Sequence, residues 1–190
     1  MKKWSTSFRI WHWVNAFVVM GLIGTVLLRE TFLNSRENAS IISNKLLEMG
    51  IALSGEQAKV IAKSIFAPMW EWHIYLGYLF GALVLYRLAL FFTKSGKQSF
   101  CFKELDMHHK LVSAGYVVIY VSLFVMAISG LMIHFYEELG LLKETAHDIK
   151  ELHEAVYNII LIFVPLHVAG VVVAESRGEE GIISKMINGN

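Results

Sequence analysis

His153 and His167 stand fourteen residues apart at the two ends of one apolar helical stretch. Fourteen residues is almost four helical turns, so both imidazoles lean to one face, about 21 Å apart along the axis. The segment between them, EAVYNIILIFVPL, carries a single acid at its start. A histidine deep in a membrane helix is costly unless it has a partner or a task. Two on one face, near opposite surfaces, point to two stacked cofactor sites. Histidine is also the residue left for such chemistry. Cys101 is the only cysteine, which excludes an internal disulfide, a four-cysteine iron–sulfur site and a CxxCH attachment. His153-Glu154 begins like HExxH, but Tyr157 stands where the second histidine is required. No cysteine or acid lies at membrane depth to complete a tetrahedral zinc site.

The elements that position these histidines are membrane helices. The chain has 190 residues, of which 55% are hydrophobic, and a mean hydropathy of +0.51, too apolar for a soluble domain of this size. Four stretches reach the ~20 apolar residues that a crossing needs: Phe8–Leu28, Trp70–Phe92, Leu111–Ile133 and Ala155–Ala174. The last three carry no charged residues except Glu71, at the start of the second, and Arg87. The expected fold is an all-α integral membrane four-helix bundle, one domain over residues 1–190. The first span follows Lys2 and Lys3 as a signal peptide would. It holds His12 and lacks a small-x-small cleavage pattern, so it is expected to be retained.

Basic residues set the expected orientation. Lys2, Lys3 and Arg9 precede the first span, and Lys94, Lys97, Lys103 and Lys110 crowd the link between the second and third. The link before the fourth is mostly acidic, with Glu137, Glu138, Glu144, Asp148 and Glu151. Both termini are therefore placed in the cytoplasm. Residues at about 29–69 form a periplasmic helical insertion. Within it, Ser54-Gly-Glu-Gln57 reads as a capping box before AKVIAKSIF, and NKLLEMGIAL as a second short helix. That insertion serves either as a solvated cap or as a docking surface. With a net charge of +1, nothing points to nucleic acid.

Alternating topology then gives each histidine a depth. His12 pairs with His167 near the cytoplasm, and His73 with His153 near the periplasm. His108 and His109 start the third span, His134 ends it, and His147 lies in the periplasmic link. Each pair can hold one haem iron through two axial imidazoles, a ligation suited to electron transfer because no coordination position stays open. Gly77 and Gly81 follow His73 on its own helix face, where missing side chains let a flat macrocycle approach. Ser129-Gly130 offers the same on the third span, and Gly170 lies near His167. Arg9 and Arg87 are candidate partners for haem propionates.

At the cytoplasmic mouth, Asp106, His108, His109 and Lys110 form a candidate quinone site. They supply carbonyl donors and a proton route, with His109 first and His108 second. Plain interfacial charge is the competing account of that cluster. Packing accounts for any single histidine here, and glycines are common at membrane helix contacts without a cofactor. The tryptophans read as interfacial anchors. A non-redox protein that uses its histidines for packing or transport would need four depth-matched histidines by coincidence.

The RxxHW start (Arg9-Ile-Trp-His12-Trp13), the ExHxxxG entry to the second span (Glu71-Trp-His73 to Gly77), the later Tyr-Arg-Leu and the His-x13-His fourth helix resemble the prokaryotic di-haem cytochrome b family. That family includes bacterial cytochrome b561 proteins, the b-type subunits of nickel–iron hydrogenases and the gamma subunits of formate dehydrogenases. The resemblance covers nearly the whole chain. It implies an inner-membrane protein with two b haems, ligated by His12, His73, His153 and His167. It also implies electron passage between a periplasmic iron–sulfur or c-type cytochrome subunit and the quinone pool, whether menaquinone or ubiquinone. The chain would then be an electron-transfer subunit of a hydrogenase or formate dehydrogenase type of enzyme. The alternative is a stand-alone quinone-linked oxidoreductase acting on a small periplasmic substrate such as superoxide. The acidic 137–151 link would repel such an anion. A homodimer is open in either case.

Overall fold

A computed structural model describes residues 4–93, 107–177 and 181–189, the side chains of 107–109 excepted. Lys2, Lys3, Lys94, Lys97, Cys101, Lys103 and Asp106 thus lie outside the described residues, as do the side chains of His108 and His109. The described residues are helical, in the order α1 (Thr6–Glu30), α2 (Ser35–Glu48), α3 (Gly55–Phe91), α4 (Met107–His134), α5 (Lys143–Ser176) and α6 (Ile182–Ile187). Four of these, α1, α3, α4 and α5, are long and apolar enough to cross a membrane. The expected all-α class with four spans is what the chain adopts.

Two helices exceed a bilayer. The 37 residues of α3 make a rod of about 55 Å at 1.5 Å per residue, against a hydrocarbon core of about 30 Å. The stretch expected as a separate short helix after Ser54 is instead the first four turns of α3, continuous with the second span. The capping box forms there as read from the sequence. Ser54 Oγ accepts the Gln57 N–H at 3.2 Å, and Gln57 Oε1 accepts the Ser54 N–H at 2.8 Å. Pro68 lies inside this helix and Pro165 inside α5, each removing one backbone donor. At the other long helix, α5 starts at Lys143, so most of the acidic link, His147 included, is helical.

Helix α2 begins earlier than expected. Asn34 caps it, its side chain accepting from the Arg36 and Glu37 N–H groups. It stops at Gly50, whose φ of +79° suits glycine, with the Ile51 N–H returning to the Leu46 carbonyl at 2.8 Å. This is the left-handed helix stop that joins C″ to C3.

The chain divides into two compact units, Met1–Asn15 with Phe80–Asn190, and Ala16–Leu79. In the second unit, Ala39 of α2 packs on Ala58 and Ala62 of α3, with Ile42 beside them. Three small side chains let the two backbones approach closely. In the first unit, α4 packs along α5, and α5 meets α6. Phe8, Trp11 and Leu90 form a core cluster, with Trp4, Leu83, Tyr120 and Met186 packed around it. The Trp11 indole N–H donates to the Leu83 carbonyl at 2.8 Å, a bond that holds α1 to α3 within this unit.

Candidate functional site

α1 and α5 bring two imidazoles together edge to face. The ring centroids of His12 and His167 lie 6.2 Å apart at an interplanar angle of 64°. A phenylalanine four residues earlier on the same helix braces each ring. Phe8 stacks on His12 at 6.5 Å and Phe163 on His167 at 5.6 Å, the i,i+4 neighbour relation of a helix surface. Neither imidazole hydrogen-bonds to another described residue. Two histidine rings this close, with no hydrogen-bond partner among the described residues, are residues that could share one metal ion through their ring nitrogens.

His153 and His73 are held differently. His153 Nδ1 lies 2.8 Å from Ser129 Oγ of α4. Gly130 makes room for it, since a Cβ there would stand 3.3 Å from His153 Cε1. His73 Nδ1 lies 2.7 Å from Thr25 Oγ1 of α1, and Trp70 stacks on the His73 ring at 5.0 Å. Arg29 in turn sits over the Trp70 ring at 5.5 Å. A Cβ at Gly77 or Gly81 would meet no described atom within 4 Å.

Both arginines read as propionate partners have protein contacts. Arg87, 7% exposed, lies over the rings of Phe8, Trp11 and Tyr120 at 5.1, 5.4 and 5.0 Å. Its Nε and Nη2 donate to the Tyr120 hydroxyl at 3.3 and 3.1 Å. An aromatic enclosure of this kind is a cation–π site, stronger where water is excluded. Arg9 Nη1 donates to the Ile187 carbonyl at 2.7 Å, and Trp13 Nε1 to the Met186 carbonyl at 3.2 Å. These two bonds secure the C-terminal end of α6. At its other end, the Glu175 carboxylate accepts from the N–H groups of Gly181, Ile182 and Ile183. The Arg9 Nε–H is buried with no partner among the described residues, a donor still able to meet an anion.

Sequence reasoning missed Thr25, Tyr120 and the short helix α6. Thr25 and Ser129 are polar side chains inside apolar runs, and in a membrane span that alone marks a residue for inspection. Tyr120 had no such signal, because its role exists only once Arg87 lies against it.

Four apolar spans, two of which bring a pair of imidazoles close together, define the class as an all-helical membrane protein with histidines inside its bundle. The chain belongs to the prokaryotic cytochrome b561 family, whose family model matches residues 3–189. It is thus an integral inner-membrane b-type cytochrome that binds haem and acts in electron transfer. Among curated proteins and solved structures no match is found.

Proposed function

We propose that this chain carries two b haems and passes electrons across the bilayer between a periplasmic redox subunit and the quinone pool. His12 and His167 ligate the cytoplasmic haem. His73 and His153, paired by their depth in the sequence, ligate the periplasmic one. The observation that carries this reading is the approach of the His12 and His167 rings to 6.2 Å between centroids. Bound haem would supply one-electron chemistry, and His12, His167, His73 and His153 are the residues that would hold it. The protein's own residues hold the ligands still. Phe8 and Phe163 brace the two cytoplasmic rings, and the unpartnered Arg9 Nε–H supports a role in meeting a propionate.

Asp106, His108 and His109, which the sequence sets at the entry to the third span, are proposed as the quinone contact. A partner with iron–sulfur clusters or c-type haems is supported by the exposed apolar side chains of the α2–α3 hairpin. Leu47, Met49 and Val60 are each more than 60% exposed, unusual for a segment outside the membrane unless something covers it. The same feature favours a subunit of a larger enzyme over a stand-alone oxidoreductase.

Haem content per chain, with a reduced-minus-oxidised spectrum, tests this reading. Two low-spin b haems are expected in the native protein. His12→Ala and His167→Ala should each leave one haem, and the same one. Loss of different haems from those two variants would overturn the pairing, and a native protein with no haem would overturn the function.

A further inference from the structure

Two hydroxyls stand in one relation to two of these histidines. Thr25 Oγ1 is 2.7 Å from His73 Nδ1, and Ser129 Oγ is 2.8 Å from His153 Nδ1. A hydroxyl has one proton to donate and lone pairs to accept with. In both residues that proton is directed elsewhere. Thr25 donates to the Leu22 carbonyl at 2.6 Å, and Ser129 to the Val125 carbonyl at 2.6 Å, with a longer branch to Met126 at 3.4 Å. Donation back to a carbonyl of the preceding turn is the usual arrangement of serine and threonine within helices. With each hydroxyl proton given to its own helix carbonyl, each oxygen is an acceptor toward its histidine, which assigns the hydrogen between them to Nδ1.

A neutral imidazole that carries its hydrogen on Nδ1 has its lone pair on Nε2. We infer that Thr25 and Ser129 are positioning residues that hold His73 and His153 as Nδ1–H tautomers, with Nε2 as the iron-binding nitrogen. This rests on the haem-ligand reading of those two histidines. The burial of both hydroxyl residues, 8% exposed for Thr25 and 3% for Ser129, keeps water from replacing them. Gly130 serves the same end, because its missing Cβ lets the His153 ring come close enough to reach Ser129. His12 and His167 have no such acceptor among the described residues, so the two ligand pairs are set by different means. An acceptor on the outer ring nitrogen fixes the ring and raises the basicity of the ligating one. A more basic ligand favours oxidised iron, so removing the acceptor should raise the midpoint potential.

The test uses the full-length protein, purified with its haems, in a redox titration with low-spin electron paramagnetic resonance spectra. Thr25→Val and Ser129→Ala should each raise the midpoint potential of one haem and leave the other unmoved. Each should also loosen that haem by about tenfold or more, the usual cost of a lost outer-shell partner. Thr25→Ser, which keeps the hydroxyl, should restore native values. Thr25→Ala, smaller than threonine, repeats the test if valine does not fit. A native protein with two haems whose potentials and spectra stay unchanged in Thr25→Val and Ser129→Ala would overturn the inference and leave haem ligation standing. A folded native protein without haem would overturn the ligation reading and this inference with it.

Discussion

Arg87 meets Tyr120 twice, through two donors to the phenol oxygen and through its guanidinium carbon 5.0 Å from the centre of the same ring. One tyrosine thus answers both the directional and the diffuse parts of a buried cation. An arginine inside a membrane span is expensive, and here α4 offsets that cost for α3.

Tyr120→Phe keeps the ring and deletes the acceptor. A hydrogen bond to a charged group contributes about 1.5–3 kcal/mol, and that loss of stability is expected in detergent. Thermal unfolding followed by circular dichroism measures it. A variant as stable as the native protein would show that the aromatic faces alone hold the arginine.

Gly130→Ala places a methyl 3.3 Å from His153 Cε1, close enough that the ring must shift by a few tenths of an ångström. The Ser129 bond should lengthen without breaking. The expected effect on the associated haem is smaller than the roughly tenfold loss for a deleted outer-shell partner. Haem retention during dilution reads it directly.

Arg9→Ala removes one of two ties on the C-terminal end of α6. The bond to Ile187 is partly solvent-exposed, so its loss is expected to cost about 1 kcal/mol, or roughly fivefold in local protection. Hydrogen exchange of the α6 amides should accelerate while those of α4 do not. Unchanged exchange in α6 would show that Trp13 and Glu175 suffice.

Ala62→Leu tests the hairpin. Ala62 is 0% exposed against α2, and overpacking such a contact costs about 1–3 kcal/mol. Exchange should rise in α2, with the haem spectrum left as in the native protein. A changed spectrum would mean that this contact also supports the ligands.

How much of this was legible in the sequence depended on the range of the interaction. The four spans follow from composition alone, since about 20 apolar residues in a row have few other uses. The Ser54–Gln57 capping box is local, and it formed as its spacing implied. The Asn34 cap was equally local and went unread, although Asn34-Ser-Arg-Glu37 is a helix start of the same kind. The fusion of the insertion to the second span was hidden because the apolar run begins only at Trp70, yet α3 starts at Gly55 and runs through Pro68. Long-range partnerships were harder. Gly130 was noticed for the space it leaves, but which group fills that space depends on the register of α4 against α5. The same holds for Arg87, whose aromatic enclosure draws on α1, α3 and α4 together.

Helix α5 has one further consequence. Because His153 and His167 share one continuous helix, their separation is counted in residues, and no side-chain substitution can alter it. One inserted residue between them would turn the second imidazole by about 100° and move it by about 1.5 Å, aiming it away from His12. Side-chain changes along this stretch leave the interval unaltered, whereas adding or dropping one peptide unit resets it. The interval works as a ruler, and a ruler tolerates repainting better than cutting.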